Sequence, residues 1–193
     1  TADGNRVAIG APLSNGTGVF AGQVHVYEWN GTGWIQLGLD IEGEDTNDKS
    51  GWSVSLSSDG SRLAVGAVSN DDGGVGAGHV RVYEWDGISW VQLGLDIDGE
   101  AAGDVSGSSV SLSSDGSRLA IGATENDGGG ADAGHVRVYQ WDGAGWIQLG
   151  QDLDGEGAGD EFGYAVSFSS DGSRLAIGAT ENDSSGVDAG HVR

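Results

Sequence analysis

The sequence predicts an all-β fold built from one repeated unit. Three observations predict it: a strict 56-residue period, apolar alternation with a period of two inside each unit, and glycine-rich turns between short apolar runs. The Asp-Gly pair of one turn recurs at Asp3, Asp59, Asp115 and Asp171. A second marker, Ala-Gly, recurs at Ala21, Ala77, Ala133 and Ala189, with no insertion or deletion between copies. Residues 51–106 and 107–162 are identical at about 40 of 56 positions, so the copies must fold alike.

The unit 51–106 shows each element in turn. Trp52, Val54 and Leu56 alternate with Ser53, Ser55 and Ser57, which is a strand. Ser58-Asp59-Gly60-Ser61 is a turn, since Asp and Gly supply the backbone conformations a reversal needs. Residues 62–67, Arg-Leu-Ala-Val-Gly-Ala, form a second strand that is apolar on both faces and so is covered from both sides. The glycine-rich stretch 70–78 is the longest loop. The third strand, 79–85, puts Val80 and Val82 on one face and Arg81, Tyr83 and Trp85 on the other. Asp86-Gly87 makes a hairpin turn, 90–95 the fourth strand, and an acidic loop over 96–104 leads to the next unit.

One four-stranded meander cannot bury both of its faces alone. Sheets stacked face to face and fanned about an axis can, with small residues such as Ala64, Gly66 and Ala67 permitting close approach. The expectation is a β-propeller of 56-residue, four-stranded antiparallel blades, about three and a half of them. Residues 1–50 are a partial blade (strands two to four), 51–106 and 107–162 are blades, and 163–193 is a partial blade. The chain starts and stops out of phase with its own repeat, which reads as a segment of a longer protein. Trp85 and Trp90 flank their hairpin and are expected to pack on each other or on the next blade.

Composition bounds the function. A net charge of −22 excludes nucleic acid as a partner, because a phosphate backbone needs a basic patch, and argues against anionic membranes. No apolar run approaches the roughly 20 residues of a membrane span, so no membrane insertion is expected. There is no cysteine, which removes disulfides, thiolate metal sites and thiol nucleophiles. Asn15, Asn30 and Asn182 head glycosylation sequons, with Asn30 at a predicted hairpin tip.

Phe162-Gly163-Tyr-Ala-Val, then Asp171-Gly172, then Leu175-Ala-Ile-Gly-Ala resembles the FG-GAP repeat, and Gly10-Ala11-Pro12 carries its Gly-Ala-Pro element intact. The resemblance covers the whole chain. It implies the seven-bladed propeller of integrin alpha subunits and many microbial surface proteins. Calcium-binding members of that family carry an Asp-rich loop between their first two strands. Here the place holds Ser57-Ser58-Asp59-Gly60-Ser61, with a single carboxylate, against the about six to eight oxygens calcium takes. The family's calcium site is therefore not carried over.

Other carboxylates are the metal candidates. Asp96, Asp98, Glu100 and Asp104 recur as Asp152, Asp154, Glu156 and Asp160, with Asp40, Glu42, Glu44 and Asp48 in the first copy. Alternate carboxylates within nine residues offer oxygens to one calcium ion, so Ca²⁺ is the one cofactor the sequence suggests. His79, His135 and His191 recur at one position and read as structural residues opening a strand; Arg62, Arg118 and Arg174 read as partners of nearby carboxylates. Catalysis requires unlike groups at one place, whereas near-identical blades repeat the same groups. The expected function is thus a non-catalytic, secreted or cell-surface propeller, a structural, adhesive or interaction module for a protein or glycan ligand. Two alternatives accompany it: a calcium-dependent carbohydrate binder, and a filament subunit completed by other copies of the same chain.

Overall fold

The structure, a computed structural model, describes all residues 1–193 and is built from seventeen strands with no helix. The first sheet holds β1 (Arg6–Ala11), β2 (Gln23–Trp29), β3 (Trp34–Gln36) and β4 (Ile41–Glu42). The second holds β5 (Ser50–Leu56), β6 (Arg62–Ala67), β7 (His79–Trp85), β8 (Trp90–Gln92) and β9 (Ile97–Asp98). The third repeats this as β10 (Ser106–Leu112), β11 (Arg118–Ala123), β12 (His135–Trp141), β13 (Trp146–Gln148) and β14 (Leu153–Asp154). The fourth holds β15 (Phe162–Phe168), β16 (Leu175–Ala179) and β17 (His191–Val192). Every pairing within a sheet is antiparallel, and the sheets do not close into a ring. This is the all-β, blade-by-blade architecture that the repeat predicts.

Two details differ from the sequence reading. The fourth strand is not continuous over 90–95: β8 and β9 are separate pieces, both paired with β7. Gly94 breaks it, at φ +88°, where a Cβ would stand 3.0 Å from the Trp141 ring of the next sheet. The first strand begins earlier, at Ser50, and carries a bulge between Ser50 and Ser53 where Gly51 takes φ +85°.

The core lies between the sheets rather than within any one of them. Val24, Val26 and Ile41 of the first sheet pack on Leu63, Val65 and Tyr83 of the second. Val80, Val82 and Ile97 of the second pack on Leu119, Ile121 and Tyr139 of the third. Val136 of the third packs on Phe162 and Ile177 of the fourth. Each fully buried aliphatic contributes about 2 kcal/mol.

Polar contacts lock neighbouring sheets at fixed offsets. Ser53 Oγ donates to the Gly107 carbonyl and Ser109 Oγ to that of Gly163, both at 2.7 Å. The Trp90 indole donates to the Leu37 carbonyl at 3.0 Å and Trp146 to Leu93 at 2.9 Å. Trp85 and Trp90 do pack on each other, 5.4 Å between ring centroids, but the neighbour that Trp90 reaches is the preceding blade. Arg62 pairs with Glu84 at 3.1 Å and donates to the Gly116 carbonyl of the next turn at 3.0 Å. Arg118 keeps only the second of these contacts, to Gly172 at 2.6 Å, because Gln140 stands where Glu84 was.

The Asp-Gly turns carry their own anion. The Asp115 carboxylate accepts from Ser113 Oγ at 2.6 Å and from the Ser117 amide at 2.9 Å, and these bonds hold its pKa down to about 2. Asp3 and Asp171 are held down to about 2 in the same way.

Two outcomes follow. On Gly66, a Cβ would collide with the Gly107 carbonyl and lie 2.5 Å from Ser53 Oγ. Gly66→Ala therefore lowers unfolding free energy by about 2–3 kcal/mol in a urea titration. Because the turn carboxylates have depressed native pKa values, their contribution is complete above about pH 4 and is lost as pH falls toward about 2. Melting curves of Asp115→Asn should accordingly fall below wild type at pH 7 and converge with it at pH 2.

Candidate functional site

One rim of the blades collects the chemistry. The loop between β6 and β7 and the acidic loop after β9 open at the same end, since His79 pairs in register with Asp98. The acidic loop after β4 reaches that end of the next sheet. Glu44 from the first sheet's loop therefore meets Asp72, His79 and Asp96 of the second, with one ligand atom of each within 4.8 Å of all the others. Between the second and third sheets Glu100, His135 and Asp152 gather in the same way. Gly128 occupies the position of Asp72 in that second cluster, so it has three members instead of four. At the third junction Arg193 pairs with Glu156 at 3.1 Å. Acidic clusters of this kind could hold a metal ion.

His79 is fully buried, and neither of its ring nitrogens has a hydrogen-bond partner. Its Nδ1 faces Glu44 Oε2 at 4.0 Å. Burial, followed by the Arg81 charge, pushes the His79 pKa below its ordinary value, so at neutral pH the imidazole is neutral and the contact is not an ion pair. His135 is lowered by the same two causes. Burial raises Glu44 and Asp98 above the usual carboxylate range; for Glu44 the adjacent Arg81 opposes it. Arg81 is buried over the Tyr83 ring, donates to the Glu42 carbonyl at 2.9 Å and pairs with Glu44 at 3.2 Å. Arg137 repeats this toward the Asp98 carbonyl at 2.6 Å, with Glu100 at 3.7 Å.

The carboxylates singled out from the sequence divide between two tasks. Asp104 and Asp160 are buried and cap their own loops. Asp104 accepts from the Glu100 and Ala101 amides at 3.1 and 2.9 Å. Asp160 accepts from the Gly157 amide at 3.0 Å and from Asn182 Nδ2 at 2.7 Å. Asp96 and Glu100, neighbours in one loop, fall into different clusters; in the next loop Asp152 joins the second cluster while Glu156 pairs with Arg193. The carbonyls of Asp98 and Asp154 accept from Arg137 and Arg193 of the following sheet. Asp72 escaped the sequence reading, and the histidines read only as strand openers. The missed signal is that loops of adjacent units open at one end.

Among the glycosylation candidates, Asn15 and Asn30 are exposed. Asn182 is buried and its amide is committed to Asp160, so the folded blade has no room for a glycan there.

A polar cleft of about 400 Å³ lies over the three-membered cluster, lined by Glu100, Gln148, Gln151, Asp152 and Asp154. A larger cleft of about 580 Å³, lined by Leu39, Ile41, Tyr83, Ile88 and Trp90 among others, is mainly apolar and lacks the histidine.

Fold and rim define a repeat protein of propeller blades with its polar groups concentrated at blade junctions. The family model described as FG-GAP repeat matches residues 42–83. No curated protein matches the sequence. Among solved structures, a Bacteroides uniformis protein provisionally named 6-phosphogluconolactonase is similar at 12% identity and a TM-score of 0.58. That match covers 91% of this chain and 44% of the other, so this chain spans less than half the length of that protein. A Pseudomonas aeruginosa protein named periplasmic gluconolactonase, PpgL, is similar at 19% identity and a TM-score of 0.46, over 92% of this chain and 62% of that one.

These findings correct the expectation of a non-catalytic structural, adhesive or interaction module, together with its carbohydrate-binding and filament variants. The fold is shared with a chain named as a lactonase, so repeated blades do not exclude an enzyme. The physical reason lies at the junctions. Identical blades still bring unlike groups together, because each junction joins the end of one unit to the middle of the next, as Glu44 and His79 show.

The two tasks are separable by denaturation. Asp104→Ala, which removes a buried carboxylate together with both of its amide hydrogen bonds, should cost about 2 kcal/mol. Asp96→Ala, which removes a rim carboxylate, should stay within about 0.5 kcal/mol of wild type when both are measured in the presence of a chelator.

Proposed function

We propose that the chain is part of an extracellular propeller hydrolase that opens a neutral sugar lactone at the junction of the second and third sheets. The observation that carries the reading is the convergence of Glu100, His135, Asp152 and Arg137 beneath a polar cleft. Opening a cyclic ester needs a group that takes a proton from water and a cation near the carbonyl oxygen as it gains charge. In this reading the Glu100 carboxylate takes the water proton, and hydroxide adds to the lactone carbonyl. Arg137, 3.7 Å from Glu100, contributes the positive charge that offsets the resulting oxyanion in this reading. The ring acyl C–O bond then breaks, and the proton returns to the alkoxide that leaves. The product hydroxy acid ionises, releasing one proton to solvent.

The fold shared with a lactonase-named chain supports the class of reaction, and the charge selects among substrates. A net charge of −22 repels a phosphorylated lactone, so the neutral compound is favoured. The acidic surface and the exposed sequons at Asn15 and Asn30 support placement outside the cell. No helix is long and apolar enough to cross a membrane.

Proton release followed at constant pH tests this. Gluconolactone should open faster than its spontaneous rate, and faster than its 6-phosphate. Glu100→Gln should lower the catalysed rate by about 100-fold or more. No acceleration over buffer, or an unaltered Glu100→Gln rate, would remove the proposal.

A further inference from the structure

The first junction differs from the second by one residue, and the difference has a chemical meaning. Glu44, Asp72, His79 and Asp96 supply four potential ligands, one imidazole nitrogen and three carboxylates, from two consecutive sheets. The fully buried His79 ring has no hydrogen-bond partner at either nitrogen, and Nδ1 is the atom turned toward Glu44. A buried imidazole left this way costs free energy unless something else engages it. The three carboxylates carry three negative charges, and the one cation in contact, Arg81 at 3.2 Å from Glu44, offsets only one. The remaining deficit matches a divalent cation.

We infer that this junction is a zinc-class metal site, closed by four protein ligands, that joins the first blade to the second. The imidazole decides the class of ion. Calcium and magnesium take oxygen ligands, whereas zinc accepts histidine nitrogen and carboxylate oxygen together in tetrahedral sets of four. Tetrahedral bonds of about 2.1 Å place donors about 3.4 Å apart. The observed spread of up to 4.8 Å therefore closes by a shift of about 1 Å in exposed carboxylates such as Glu44, without moving the buried ring. At the second junction Gly128 removes one ligand and leaves the cluster open beneath its cleft. A closed set at one junction and an open set at the next is the distinction between a structural and a reactive metal geometry.

The inference stands on the first junction alone and is independent of lactone hydrolysis, because its readout is the metal itself. Equilibrium dialysis of the chain against zinc, calcium and magnesium, followed by elemental analysis, tests it. Zinc should be retained stoichiometrically in excess calcium, and its removal by a chelator should lower the melting temperature. Asp72→Gly installs the residue that the next junction already uses, so the blade has a precedent for folding with it. This variant should lose zinc affinity by about tenfold or more, as should His79→Gln. Absence of retained zinc, equal or tighter binding of calcium, or zinc binding unaltered in both Asp72→Gly and His79→Gln would each overturn the inference.

Discussion

The structure depends on how close two β-sheets can come at their inner edge. The first strand of one sheet meets the second strand of the sheet before it through glycine, β10 on β6 and β15 on β11. A Cβ on Gly107 would lie 3.0 Å from the Gly66 Cα, and one on Gly163 would lie 3.2 Å from that of Gly122. Farther out the same sheets are held apart by Leu119, Ile121, Tyr139 and the tryptophans. Backbone contact inside and large side chains outside make each gap a wedge, and a row of wedges is a fan. Neither the apolar core nor the polar rim could form on sheets spaced evenly from edge to edge.

The wedge also explains why the functional groups sit where they do. At the rim the sheets are linked by loops rather than by apolar contact, so carboxylates of one unit lean over the strand ends of the next. Glu44 and His79 are far apart in sequence yet meet there. Arg81 is tied to the Glu42 carbonyl, which fixes the loop that carries Glu44. The core thus positions the rim through a small number of hydrogen bonds, and the ordered loops put like charges near each other. That arrangement opposes folding by repulsion unless a cation joins them.

Much of this was legible in the sequence because the fold is periodic. The bounds of β6 and β7 fall where alternation and the Asp-Gly turn place them. The fourth strand did not, because it breaks at a glycine with positive φ: Gly94 at +88°, and Gly150 at +78° in the next blade, where no tryptophan of a following sheet stands beside it. The site was partly legible. Asp96 and Glu100 were visible as candidate ligands, yet grouping them by loop joined residues that the fold separates. Asp72, an unremarkable turn residue in a glycine-rich loop, acquires meaning only beside His79. Asn182 reads as a sequon from its neighbours and as a buried clasp for Asp160 from its surroundings.

The tryptophan, arginine and serine bridges each join residues at a constant separation along the chain. A junction is therefore specified by any two consecutive units, wherever they occur. Unequal exchange between such similar coding segments would add or delete a whole blade and leave every surviving seam intact. Blade number can then drift in descent without any seam having to be reinvented, and only the angle needed to complete a circle stands against it.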